Sequence, residues 1–117
     1  MRRSLLFAVP LAGVLAMPAA AAAPARLQVV AREFSLTLSR QKLKAGPAIV
    51  ELVNFGDDAH DLRLRRIGGT RIRAIATVLP GGHAALRARL QPGRYVLWCS
   101  IADHRARGMH APLLVRR

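Results

Sequence analysis

From Leu27 onward, short apolar runs alternate with clusters of turn residues, and the runs follow a period of two. Leu27 to Leu38 reads as two strand-like pieces, with Leu36 and Leu38 on one face and Thr37 and Ser39 on the other. Lys44-Ala45-Gly46-Pro47 is a turn sequence. Ala48 to Phe55 (AIVELVNF) is apolar and β-branched, which fits a central strand. Gly56-Asp57-Asp58 breaks that run and leads into His60; Leu62, Leu64 and Ile67 then continue a strand, with Arg63, Arg65 and Arg66 mostly on its wet side. Gly68 to Ala76 is Arg-rich and the least regular stretch, read as a short helix or an irregular loop. Thr77 to Leu79 runs into a Pro80-Gly81-Gly82 turn, and Ala84 to Leu90 places Leu86, Ala88 and Leu90 opposite Arg87 and Arg89. Gln91-Pro92-Gly93 turns the chain into a strand from Arg94 to Cys99, and Pro112 to Arg116 closes the series. Seven or eight short strands at this spacing predict an all-β, antiparallel sandwich.

The N-terminus follows a different rule. Arg2 and Arg3 precede an almost wholly apolar stretch from Ser4 to Met17, and Pro18 to Ala25 is mostly alanine. This is the pattern of a signal peptide, with cleavage expected between Ala20 and Ala25. The apolar run is too short for a comfortable membrane span. The expected organisation is a signal segment over 1–23 and one domain over 24–117, exported to the periplasm, by the general secretory route rather than the twin-arginine one. The uncleaved alternative is an N-terminal anchor.

Composition sharpens this picture. The chain has 117 residues, 19 Lys and Arg against 6 Asp and Glu, and a net charge of +13. Loss of Arg2 and Arg3 with the signal leaves 17 cations against the same 6 acids, a net +11. Such an excess favours anionic partners. Export and the lack of an aromatic-interleaved basic motif argue against nucleic acid.

One cysteine cannot form an intrachain disulfide, and an odd cysteine in an exported chain is an intermolecular partner, a reactive thiol or a metal ligand. Here Cys99 is followed by His104 and Met109, with His60 upstream. Strand alternation points Tyr95, Leu97 and Cys99 to the same, inward face. Gly108 permits a turn just before Met109. Two imidazoles, a thiolate and a thioether are the donor set that favours copper and electron transfer. Taken singly the residues have plainer readings: a buried inert thiol, a loop histidine and a core methionine. His110 and His83 read as solvated, and Trp98 as an outer-face packing residue.

The block from Gln91 to Val115, QPGRYVLWCSIADHRARGMHAPLLV, resembles the cupredoxins, the small blue copper proteins. The resemblance extends over most of the chain from Leu27 to Val115. The Cys-x₄-His-x₄-Met spacing is similar to that of auracyanin and rusticyanin. The resemblance implies a Greek-key β-sandwich holding one copper ion on His60, Cys99, His104 and Met109. It further implies that the ring edge of His104 reaches the surface to pass the electron, and that Ser100 supplies a hydroxyl tying the ligand loops together. Asp61 stands where the family usually has Asn; its added negative charge should favour Cu(II) and lower the potential. Ala102-Asp103 stands where Pro or Gly often precedes the second histidine. Arg105 and Arg107 flank that histidine where an apolar patch is common. The expected role is a monomeric, non-enzymatic electron carrier between redox proteins, docking on acidic faces through its arginines. The alternatives are a periplasmic copper carrier or buffer using the same ligands, and a copper-free binding module.

Overall fold

The computed structural model describes residues 1–17 and 23–117. Among the described residues every regular element is a strand. Residues 1–17 carry no assigned secondary structure, and most of the expected cleavage region lies at 18–22, outside the described residues.

Nine strands follow: β1 (Ala25–Arg32), β2 (Ser35–Leu38), β3 (Lys42–Lys44), β4 (Gly46–Asn54), β5 (His60–Arg66), β6 (Ile72–Val78), β7 (His83–Leu90), β8 (Gly93–Trp98) and β9 (His110–Arg116). They form a four-stranded sheet, β2-β1-β4-β7, and a five-stranded sheet, β3-β9-β8-β5-β6. The sandwich is thus as expected, with nine strands rather than seven or eight. Its sheets are mixed rather than purely antiparallel, because β1 pairs in parallel with β4 and β3 with β9.

Two stretches differ from the sequence reading. The irregular stretch at Gly68 to Ala76 contains the start of β6, an edge strand paired only with β5. Only Ile75 and Val78 of this strand are buried, so its apolar signal is thin. The turn at Lys44 to Pro47 is a corner: Ala45 alone separates β3 from β4, and Gly46 takes a φ of 110°, which only glycine adopts without strain.

The inner faces meet in one core. Leu27, Val29, Val50 and Leu52 come from the first sheet; Leu62, Leu64, Leu97 and Leu113 come from the second. Pairing keeps these faces in step: Leu27 lies beside Val50, Leu64 beside Leu97, and Tyr95 beside Leu113. A slip of one residue would turn each set to solvent. Each fully buried side chain of this size contributes about 1.5–3 kcal/mol, so the register is strongly fixed. At one end of this core β5 begins, β8 ends and β9 begins, and the candidate ligands collect there.

Candidate metal centre

The inward alternation of β8 carries past its last residue. Tyr95, Leu97 and Cys99 are all buried, with Cys99 at 0 % exposure. His60 opens β5, the neighbouring strand, and is also fully buried. His104 enters from the loop that joins β8 to β9. The Cys99 Sγ lies 3.8 Å from His60 Nδ1 and 3.6 Å from His104 Nδ1. One ligand atom from each of the three residues falls within 4.8 Å of the other two. Bonds of about 2.0–2.3 Å from a central ion place donors about 3.5–4 Å apart in a trigonal set, so the spacing fits one small metal ion. The soft sulfur and two imidazoles are a donor set that suits copper.

Met109 is buried at 0 % exposure, and its backbone pairs with those of Cys99 and His104. Its backbone is fixed on both sides: the Cys99 N–H donates to Met109 O at 3.1 Å, and the Met109 N–H donates to His104 O at 3.1 Å. The chain reaches it through Gly108, whose φ is 124° and where a Cβ would come within 2.9 Å of Phe34 O. His110, one residue on, is exposed and pairs with Trp98 in the ladder. His83 is exposed on β7. Neither belongs to the cluster.

One of the two histidines is oriented by a carboxylate. His60 Nε2 lies 2.8 Å from Glu33 Oε1. A proton on Nε2 leaves the Nδ1 lone pair directed at the sulfur side. Glu33 is itself held by the N–H groups of Asp57 and Asp58, at 3.0 and 2.8 Å. These backbone bonds are the main reason its carboxyl is pulled down to about 2, with His60 contributing less. A side chain at Gly56 would displace the Glu33 carboxylate from this position. His104 Nε2 lies 3.7 Å from Asp58 Oδ2. The His104 ring is only 7 % exposed, and Phe34 packs against it with ring centres 5.4 Å apart.

Two further residues fix the loops. Asn54, fully buried, donates to Asp58 O at 2.8 Å and to Val78 O at 2.9 Å, and accepts from the Gly56 N–H at 2.8 Å. It thereby holds the chain leading into His60. Asp61 accepts from the Ser100 N–H at 2.6 Å and from the Ser100 hydroxyl, so it ties β5 to the ligand loop. The carboxylate performs the linking role that the sequence placed at this pair. Burial pushes the Cys99 thiol up, opposed by the backbone amides of Asp61 and Ile101. A metal cation would reverse that balance, since it binds the thiolate.

Glu33 and the stapling role of Asn54 are absent from the sequence reading. Glu33 sits 27 positions before His60 and reaches it only because β1 ends at the same pole at which β5 begins. A partial signal was available: in a strongly cationic chain, five of the six acids (Glu33, Asp57, Asp58, Asp61 and Asp103) gather around this pole.

The architecture is the cupredoxin β-sandwich, and the buried His-Cys-His cluster fits a single copper ion. Among solved structures, reduced auracyanin from Roseiflexus castenholzii superposes with a TM-score of 0.65 at 17% identity, covering 82% of this chain and 100% of that one. Auracyanin B superposes with a TM-score of 0.66 at 20% identity, over 83% of this chain and 93% of that one. Reduced rusticyanin gives 0.61 at 18% identity, over 78% and 79%. No protein-family model matches the chain, and no curated protein matches it in sequence.

Proposed function

We propose that this chain is an exported type 1 copper protein that carries single electrons between redox proteins, with His60, Cys99, His104 and Met109 as ligands. The observation that carries the reading is the convergence of two Nδ1 atoms on one buried thiol, 3.8 and 3.6 Å away. Bound copper supplies a one-electron Cu(I)/Cu(II) couple. The protein's part is to hold the donors still in both states: Glu33 fixes His60, Asp61 fixes the ligand loop through Ser100, and the two Met109 backbone bonds fix its position. Complete burial of Cys99, His60 and Met109 supports electron transfer over the alternative of copper hand-off, which needs an exposed donor for the acceptor to attack. Auracyanin A is described as a "blue" copper protein, which accords with this reading.

The chain is read as a monomeric carrier rather than an enzyme, with 1–23 as a cleaved signal and the periplasm as its location. Among the described residues no helix is long and apolar enough to cross a membrane. Its proposed partners present acidic faces to the arginines around the site.

The decisive experiment is a visible absorption titration with Cu(II), in parallel with Cys99→Ser. An intense thiolate-to-copper band that saturates at one equivalent and vanishes in the variant is expected. A pale complex, or no binding, would remove the electron-carrier reading.

A further inference from the structure

At the end of the sandwich away from the ligands, the β5–β6 connection, the start of β6 and the end of β7 enclose a cleft of about 370 Å³. The strand β5 separates the two ends: His60 and Arg66 are its first and last residues, about 20 Å apart at the rise of an extended strand. Arg66, Arg71, Arg73 and Arg89 line the cleft, along with Gln91 and Tyr95. No carboxylate lines it. Among the described residues the arginines within ion-pair distance of an acid are Arg63 and Arg107, neither of which is in the cleft. Four arginines therefore line a cleft in which, among the described residues, no carboxylate pairs with them.

The groups are partly ordered. Arg66 lies across Gly93, where a side chain would collide with it, and its Nη1 reaches Gln91 Oε1 at 3.4 Å. Arg73 is half-buried on β6, opposite Leu64. Guanidinium forks match phosphate oxygens two at a time and give up their hydration readily. A cleft of this volume, with four such forks, offers more donors than one orthophosphate uses.

We propose that this cleft is a binding site for a phosphate-bearing anion of diphosphate or lipid-headgroup type, independent of the copper centre. Arg71 and Arg73 grip it from the β5–β6 side, and Arg89 from the end of β7.

The test is calorimetric titration of the purified protein with inorganic pyrophosphate, in parallel with co-sedimentation on phosphatidylglycerol and phosphatidylcholine vesicles. The cleft variant is Arg71→Gln/Arg73→Gln, and Arg66→Gln/Arg89→Gln is a second pair from the ends of β5 and β7. The control is Arg26→Gln/Arg87→Gln, which removes equal charge from the four-stranded sheet, on either side of Ile49, at residues that do not line the cleft. Saturable one-to-one pyrophosphate binding is expected, about tenfold or more weaker in both cleft pairs and changed less than about twofold in the control. Binding only to phosphatidylglycerol, lost in the cleft pairs and kept in the control, assigns the site to a lipid headgroup. No saturable binding in either arm, or equal weakening in cleft and control variants, overturns the proposal.

Discussion

Glu33 controls the site from a distance of one hydrogen bond. Its carboxylate accepts from His60 and is held in turn by two backbone amides, so the group that orients the imidazole is itself fixed in place. Removing the outer partner of a metal-bound histidine costs about 10–100-fold in metal affinity. Glu33→Gln is expected to weaken Cu(II) binding within that range, measured by competition with a chelator, while the fold is retained. The same carboxylate gives a pH signature. Held near 2 in the fold against 4.5 in the open chain, it binds fewer protons when native. Its contribution to stability is therefore complete above about pH 4.5 and is lost as pH falls towards 2. Denaturant unfolding of the copper-free protein should lose stability over that interval, and Glu33→Gln should flatten this part of the profile. Asp61 is the second such residue. Asp61→Asn keeps a link to Ser100 but removes a charge beside the metal, so the reduction potential should rise, by an amount on the order of tens of millivolts in voltammetry. A potential that stays put or falls would show that the Asp61 charge does not reach the centre. The donor trio was legible because strand alternation points Cys99 inward and the spacing of the histidines around it resembles that of the cupredoxins. Glu33 was not legible, since its role depends on the two sheets closing over one another.

At the scale of elements, the ligand loop depends on two backbone positions. Gly108 holds a φ of 124° under the Phe34 carbonyl, and Ala102 sits at a φ of 45° without the freedom of glycine. Gly108→Ala is expected to destabilise the protein by about 1–3 kcal/mol, through both the left-handed backbone and the contact with Phe34 O. Ala102→Gly removes strain of about 1 kcal/mol and loosens the loop, so its net effect on stability should stay small. Thermal unfolding of the two variants separates them. The strands were unequally readable for a related reason. Strands with one wet and one buried face, such as β7 and β9, show alternation in the sequence. The short edge strand β3 presents one buried residue, Leu43, between two lysines, and β6 buries only two of seven. The parallel pairing of β1 with β4 leaves no mark on the apolar pattern, because both pairing directions bury the same alternate residues.

Over the whole molecule, charge is sorted rather than spread. Five of six acids lie at the metal pole, where they serve the ligands and their loops, yet arginines still ring that pole. Arg107 lies 4.6 Å above the Phe34 ring, Arg105 the same distance above Trp98, and Arg32 5.5 Å above Phe55. Arg107 is paired with Asp103, whereas stacking on an aromatic face holds Arg105 and Arg32 in place without neutralising them. The pole thus combines exposed apolar surface, at Phe55 and Leu79, with fixed positive charge around His104. A partner with an acidic face gains on approach from the long-range field, and the field is screened over about 8 Å at physiological salt. Second-order electron-transfer rates to an acidic redox protein should fall steeply as salt is raised from low ionic strength. Arg105→Glu should lower the rate at low salt and flatten that dependence, because Arg105 bears no ion pair among the described residues. The opposite-pole pair Arg71→Gln/Arg73→Gln should leave the rate nearly unchanged, since it lies about a strand's length from the ligands. If both variants slowed transfer equally, docking would follow total charge alone and the arrangement around the metal pole would carry no specificity.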